Sequence, residues 1–343
     1  MSASSGVVPL PDRRLTVFGL GGTISMTAND SGGVVPVLSA GQLVATVPGL
    51  EETGIRIGVE DFRRVPGACL GFDDLAALSE AIDQRFDQGV DGVVITQGTD
   101  TIEETAYLLD LVHDRPQPVV VTGAMRNPTL AGADGPANLL AAVRTAASAQ
   151  TRGLGVVVVF ADEIHAASRV RKAHTTSGFT FQSANGGPLG YVVEGRPRVL
   201  NRPVDRTVVP MVGAQRRAVE IGLVTTVLGD TGWWLDGAAD RFDGLVVAGF
   251  GAGHVPDWLA DALAEVASHI PVVLSSRTGA GSVLSGTYAY VGSESDLLGR
   301  GLISAGFLDP LKARILLRHL LAGGHDRSAI QAAFMQAGGQ ADQ

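Results

Sequence analysis

Two short segments place hydroxyls and a carboxylate where a strand should hand over to a loop. GLGGTI at 19–24 follows the apolar run LTVF at 15–18, and TQGTDTIEETAYLLDL at 96–111 follows GVVI at 92–95. In an open parallel α/β sheet, ligands bind beyond the carboxyl ends of the strands. If these two strands are neighbours, Thr23, Thr99 and Asp100 face one pocket. A hydroxyl nucleophile is weak at its ordinary pKa and needs a base and an oxyanion site. Threonines beside an aspartate at a helix start therefore suggest a threonine-based hydrolase. Thr23 follows Gly21 and Gly22, in a turn where backbone can approach a ligand closely. A phosphate cradle or a purely structural glycine turn is the other reading. The dinucleotide pattern GxGxxG fails because Ile24 occupies its last position, and the Walker pattern also fails.

Asp100 can bind a substrate ammonium group, and free backbone N–H groups at the same turn suit a carboxylate or an oxyanion. Thr101 reads as an ordinary helix cap. Lys172 sits in SRVRKAHTTSGFTFQSANGGPLGY at 168–191. With Arg169 and Arg171 beside it, the segment reads as a solvated basic face. A lysine next to a threonine hydroxyl, held by an aspartate, instead moves protons. The seven histidines show no HExxH or similar ligand spacing, so no metal is expected. No GxSxG elbow occurs. The single cysteine, Cys69, excludes an intrachain disulfide framework and reads as a small buried apolar residue.

The elements that position these groups are legible as punctuation. Nearly continuous apolar runs recur at 15–18, 92–95, 118–122, 155–160, 219–224, 244–249 and 271–276. Such runs mark strands buried on both faces, as in parallel sheets. Helical patterns alternate with them at 73–86, 101–112 and 309–324. Thr101 and Glu104 have capping-box spacing, which starts that helix just after Asp100. Asp309 and Pro310 open the last of the three. The class is α/β, with two α/β domains: a larger N-terminal one with a mainly parallel sheet and a smaller C-terminal one. The Pro- and Arg-rich stretch 196–217 reads as a linker, giving domains at 1–195 and 218–343, with 1–13 as a loose extension.

The chain of 343 residues is 45% hydrophobic and 18% charged, enough for a large buried core. Its formal net charge of −9 argues against nucleic acid or an anionic membrane surface as partner. No apolar run approaches the roughly 20 residues of a membrane span, and no secretory signal is read at the N-terminus. The cytoplasm is the expected compartment.

The ordered set GGTI at 21–24, QGTDTIEETAYLLDL at 97–111, TGAMR at 122–126, ADGPANL at 133–139, KAHTT at 172–176 and NGGPLGY at 185–191 resembles bacterial L-asparaginases. SSR at 275–277 and SAGFLDPLKARILL at 304–317 resemble the second domain of that family. The resemblance spans nearly the whole chain. It implies hydrolysis of the asparagine side-chain amide to aspartate and ammonia, without metal or cofactor, by a homotetramer of intimate dimers. It implies Thr23 as nucleophile and Thr99, Lys172 and Asp100 as the supporting polar triad. The backbone at Thr99 and Ala124 would border the oxyanion and amide positions, and Asp100 would hold the substrate's α-amino group.

Departures from the family pattern concern recognition more than chemistry. The lid stretch 25–39 carries no tyrosine. PGACL at 66–70 replaces the usual Ser-Gln-type pair, leaving Gly67 and Ala68 as the substrate-facing backbone. GAGH at 251–254 and the stretch 277–288 do not show the asparagine and glutamate that the second domain often supplies. Each lost polar contact costs a few kcal/mol of substrate binding if nothing replaces it. Arg63, Arg64, Arg277 and Tyr288 are the candidate replacements. L-asparagine is the expected substrate, with L-glutamine or D-asparagine hydrolysis as an alternative and a non-catalytic amino-acid-binding protein as a third reading.

Overall fold

The computed structural model describes residues 12–22, 24, 26–28, 34–36, 39–210 and 218–340. The chain divides into two compact units, residues 1–205 and 206–343.

The first unit runs β1 (Arg14–Gly19), β2 (Met26–Ala28), β3 (Val34–Pro36), α1 (Ala40–Ala45), β4 (Arg56–Asp61), α2 (Phe72–Asp87), β5 (Gly92–Thr96), α3 (Ile102–Val112), β6 (Val119–Thr122) and α4 (Gly135–Ala147). It continues with β7 (Val156–Phe160), β8 (Glu163–Ala166), β9 (Arg171–Lys172), β10 (Phe181–Gln182), β11 (Gly190–Val193) and β12 (Arg196–Val199). Its main sheet has the order β12-β11-β8-β7-β6-β5-β1-β4. β4, β1, β5, β6 and β7 are parallel. β8, β11 and β12 add an antiparallel margin. The two strands that precede the threonine segments are direct neighbours, with Gly19 opposite Thr96.

Burial on both faces explains the continuous apolar runs of β5, β6 and β7, every residue of which is buried. On one face Leu15, Val17, Val94, Val120 and Val157 join Leu43 of α1 and Leu139 and Val143 of α4 in a single cluster. The alternate residues Phe18, Val93, Ile95, Val121 and Val158 are equally buried and face the other way. α3 packs against β6 and β7. Residues 196–199 correct the expected linker boundary. They pair with β11 as the outer strand of this sheet, so the connection starts after Val199. The exposed, Arg- and Pro-containing composition of an edge strand resembles that of a linker.

The second unit holds β13 (Ile221–Thr225), α5 (Ala238–Arg241), β14 (Gly244–Gly249), α6 (Asp257–His269), β15 (Val272–Ser276), α7 (Glu294–Gly299), β16 (Ile303–Ser304), α8 (Pro310–Ala322) and α9 (Arg327–Ala337). Its four strands are parallel in chain order. Leu245, Val247 and Leu274 pack on Leu259 and Leu263 of α6. Asp309 caps α8 by accepting from Leu311 and Lys312 N–H, as its position before Pro310 requires.

Candidate active site

Four loops, those after β1, β4, β5 and β6, converge at the carboxyl ends of β1 and β5, and glycine makes the convergence sterically feasible. A Cβ at Gly22, which has φ +85°, would lie 2.1 Å from Gly98 N. A Cβ at Gly67 would lie 2.8 Å from Gly98 O, and one at Gly123 would lie 2.6 Å from Gln97 O. Larger residues would push these loops apart. Leu20 N–H donates to Thr96 O, and Gln97 N–H donates to Thr122 O, which continues the sheet register into the loops.

Thr99 and Asp100 lie in a single 3₁₀ turn, 99–101, that feeds directly into α3. The helix starts where the sequence reading put it, but its expected capping box is absent. The Thr101 hydroxyl donates to Gly67 O at 3.0 Å and accepts from Gln97 Nε2 at 3.2 Å. The loop-to-loop bond wins because the preceding 3₁₀ turn gives Thr101 a φ of −118° and a ψ of 14°, outside cap geometry. Thr101 thus ties the 66–70 loop to the turn that carries Thr99.

Lys172 comes from the hairpin β9–β10, 73 residues from Thr99 in sequence. Its ammonium donates to Thr99 Oγ1 at 3.0 Å and to Asp100 Oδ1 at 2.7 Å. Thr99 is buried, Lys172 is mostly buried, and Asp100 is 66% exposed. One carboxylate oxygen of Asp100 is therefore engaged by lysine at an accessible position. Phe181, opposite Lys172 in the hairpin, is buried against Phe160 with ring centroids 5.0 Å apart. His165 Nδ1 and Ser183 Oγ, 3.0 Å apart, hold the end of β10. Burial pushes the His165 imidazole down to about 4 and pushes the neighbouring Glu163 carboxyl up.

Thr23 lies outside the described residues. Its flanks are described: Gly22 abuts Gly98, and buried Ile24 abuts Gly135. Ala124 is fully buried, and the chain around it is gripped from α4. Asp134 accepts from Met125 N–H at 3.0 Å and Arg126 N–H at 2.8 Å. Asn138 Nδ2 donates to Gly123 O at 3.0 Å, and its Oδ1 accepts from Ala161 N–H. Asp134 and Asn138 are positioning residues within ADGPANL whose individual parts the sequence reading left unassigned.

Gly67 and Ala68 form a 3₁₀ turn beside the 98–101 segment, with Gly67 buried and Ala68 exposed. Cys69 ends that turn and is exposed, which corrects its reading as a buried apolar residue. The close approach of Gly67 to Gly98 aims residues 68 and 69 outward. Arg63 pairs with Asp74 at 2.7 Å and Arg64 with Asp61 at 2.9 Å, so both guanidinium groups are already engaged. The Arg63 hydrogen bond and the Gly71 N–H hold Asp74 below the usual carboxylate range.

In the second unit, Arg277 donates to Thr226 O at 2.7 Å and lies 4.2 Å over the Phe250 ring. Tyr288 stacks edge-on against His254, at 4.9 Å between centroids. A carboxylate occurs six residues beyond Tyr288. Glu294 is fully buried and accepts from Thr287 N–H, Tyr288 N–H and His254 Nε2, at 3.0, 2.8 and 3.1 Å. Burial pushes its pKa up, but these hydrogen bonds outweigh it and hold the carboxyl low. The signal for it was a helix start, with Ser293 as the cap of α7. Among the described residues, no group of three or more His, Cys, Asp or Glu side chains could hold a metal.

Fold and geometry define a two-domain α/β protein with a lysine-bridged threonine–aspartate centre at the carboxyl ends of a parallel sheet. Residues 14–205 match the family described as "Asparaginase, N-terminal", and residues 220–334 match the "Glutaminase/Asparaginase C-terminal domain". The probable L-asparaginase of Deinococcus radiodurans is 37% identical over 328 residues, 94% of this chain and 97% of that one. L-asparaginase 2 of Escherichia coli is 34% identical, covering 98% and 96% of the two chains. The crystal structure of a probable cytoplasmic L-asparaginase from Campylobacter jejuni superposes with a TM-score of 0.85 at 32% identity, covering 95% of this chain and all of that one. The chain belongs to the asparaginase family.

Proposed function

We propose that this chain is an asparaginase that hydrolyses the side-chain amide of L-asparagine to aspartate and ammonia. The observation that carries the proposal is the Lys172 ammonium, bound to both Thr99 Oγ1 and Asp100 Oδ1 at the strand ends. Thr23 Oγ attacks the amide carbon, and its proton leaves with the departing ammonia. The resulting β-aspartyl ester is then cleaved by water, which restores the Thr23 hydroxyl. Lys172 and Thr99 form the proton-handling side of the pocket. Main-chain N–H groups around Thr99 and Ala124 stabilise the oxyanion. Asp100, exposed and with only one oxygen held by Lys172, binds the substrate's α-ammonium.

Recognition of the α-carboxylate falls to the backbone of Gly67 and Ala68, without the family's usual side-chain pair. A weaker affinity for the amino acid follows. The working form is a homotetramer of intimate dimers, to be measured by light scattering. No described helix is long and apolar enough to cross a membrane. The relative from C. jejuni is described as cytoplasmic, which supports a cytoplasmic location here. Ammonia release from L-asparagine, D-asparagine, L-glutamine and a simple aliphatic amide tests the function. L-asparagine is expected to be the fastest of the four. A folded protein silent on all of them overturns the proposal.

A further inference from the structure

We propose that Glu103 is a positioning residue that sets the reach of Lys172, an inference that rests on the asparaginase reading. Glu103 sits in the first turn of α3 and is only 5% exposed, although a glutamate there would ordinarily face water. Its Oε1 accepts the Lys172 backbone N–H at 3.2 Å. Lys172 has no use for that N–H within its own hairpin. Ala173 N–H donates to Thr180 O, so Ala173 and Thr180 are a hydrogen-bonded pair. The next pair, Lys172 with Phe181, is then non-hydrogen-bonded, and Lys172 N–H points away from β10.

The lysine is thus held at both ends by one short segment of chain. Thr99 and Asp100 take its ammonium, and Glu103 takes its main-chain N–H. All three acceptors lie within the 3₁₀ turn and the first turn of α3, so they move as one body. Phe181 and the His165–Ser183 contact anchor the far limb of the hairpin but leave Lys172 itself without a fixed depth. Glu103 supplies that depth. Without it, the hairpin edge shifts and the ammonium no longer meets both Thr99 and Asp100.

The test compares Glu103→Gln, Glu103→Asp and Glu103→Ala. Gln keeps an acceptor at the same reach, Asp keeps the charge at a shorter reach, and Ala removes both. The expected kcat on L-asparagine is within about threefold of wild type for E103Q, and down roughly 10- to 100-fold for E103D and E103A. KM should move less than about threefold in all three, since Glu103 does not touch substrate. Hydrogen exchange of the Lys172 amide in the full-length protein supplies a readout without turnover. It should be protected in wild type and E103Q and faster in E103D. Wild-type kcat in E103D, an E103Q loss as large as that of E103A, or a Lys172 amide equally protected in E103D each overturns the proposal. If the wild-type protein releases no ammonia, the asparaginase reading fails instead, and the exchange measurement still decides the clamp.

Discussion

Replacing Lys172 with methionine separates chemistry from stability. Methionine retains most of the apolar stem and deletes the ammonium. The ion pair with Asp100 is half open to water, since the aspartate side chain is 66% exposed. Exposed pairs contribute about 0–1 kcal/mol, so the lost pair itself costs the fold no more than about 1 kcal/mol. Thr99 is buried and its Oγ1 loses the Lys172 donor at 3.0 Å, which adds about 1–3 kcal/mol for an acceptor left unsatisfied. Proton transfer by a positioned side chain contributes about 10²- to 10⁴-fold in rate, or roughly 3–5 kcal/mol of barrier. K172M should therefore lower kcat for L-asparagine at least about 100-fold, while urea unfolding shifts by about 1–4 kcal/mol. Coupled ammonia detection and denaturant titration of the same preparation read both quantities. A kcat within about tenfold of wild type would refute the role assigned to Lys172. A loss of activity that only accompanies global unfolding would refute the separation.

Three other outcomes follow from the same geometry. D100N should raise KM for L-asparagine more than it lowers kcat, because a charge-assisted contact to the α-ammonium is worth roughly 1.5–3 kcal/mol; steady-state kinetics with and without the α-amino group on the substrate checks this. G22A should abolish activity and destabilise the first unit, because its Cβ would sit 2.1 Å from Gly98 N in a left-handed conformation; thermal denaturation and ammonia release report it. Stability should fall as pH drops from about 6.5 to about 4. The unfolded His165 takes up its proton near 6.5, while burial delays the folded one to about 4, so the contribution is complete above the first value and lost through the window. That shift corresponds to about 3 kcal/mol at most. Glu163, raised by burial, opposes it because its folded form binds a proton first. Urea unfolding across this range should show a flatter pH dependence in H165Q than in wild type.

The strands were legible because burial on both faces leaves uninterrupted valine and isoleucine, as in β5 and β7. The short antiparallel margin was not, since β9 and β10 are two residues each and β12 reads RPRV, polar like a linker. The pairing of Lys172 with Thr99 and Asp100 spans about seventy residues, so composition favoured a solvated basic face and the family resemblance named the partners. Thr101 misled because a capping spacing cannot reveal a competing carbonyl, here Gly67 O, brought in by another loop. Glu103 was hidden for a related reason. Helical periodicity does not tell which acidic residue of a first turn is turned inward, and the partner is a backbone N–H that no sequence pattern marks.

The central claim is that Thr23 is the nucleophile of an L-asparagine amidohydrolase. Its most direct test is ammonia release from L-asparagine by folded Thr23→Ala against wild type. The prediction is a readily measured wild-type rate and a loss of about 10⁴-fold or more in the variant. A variant within about tenfold of a working wild-type enzyme would contradict it.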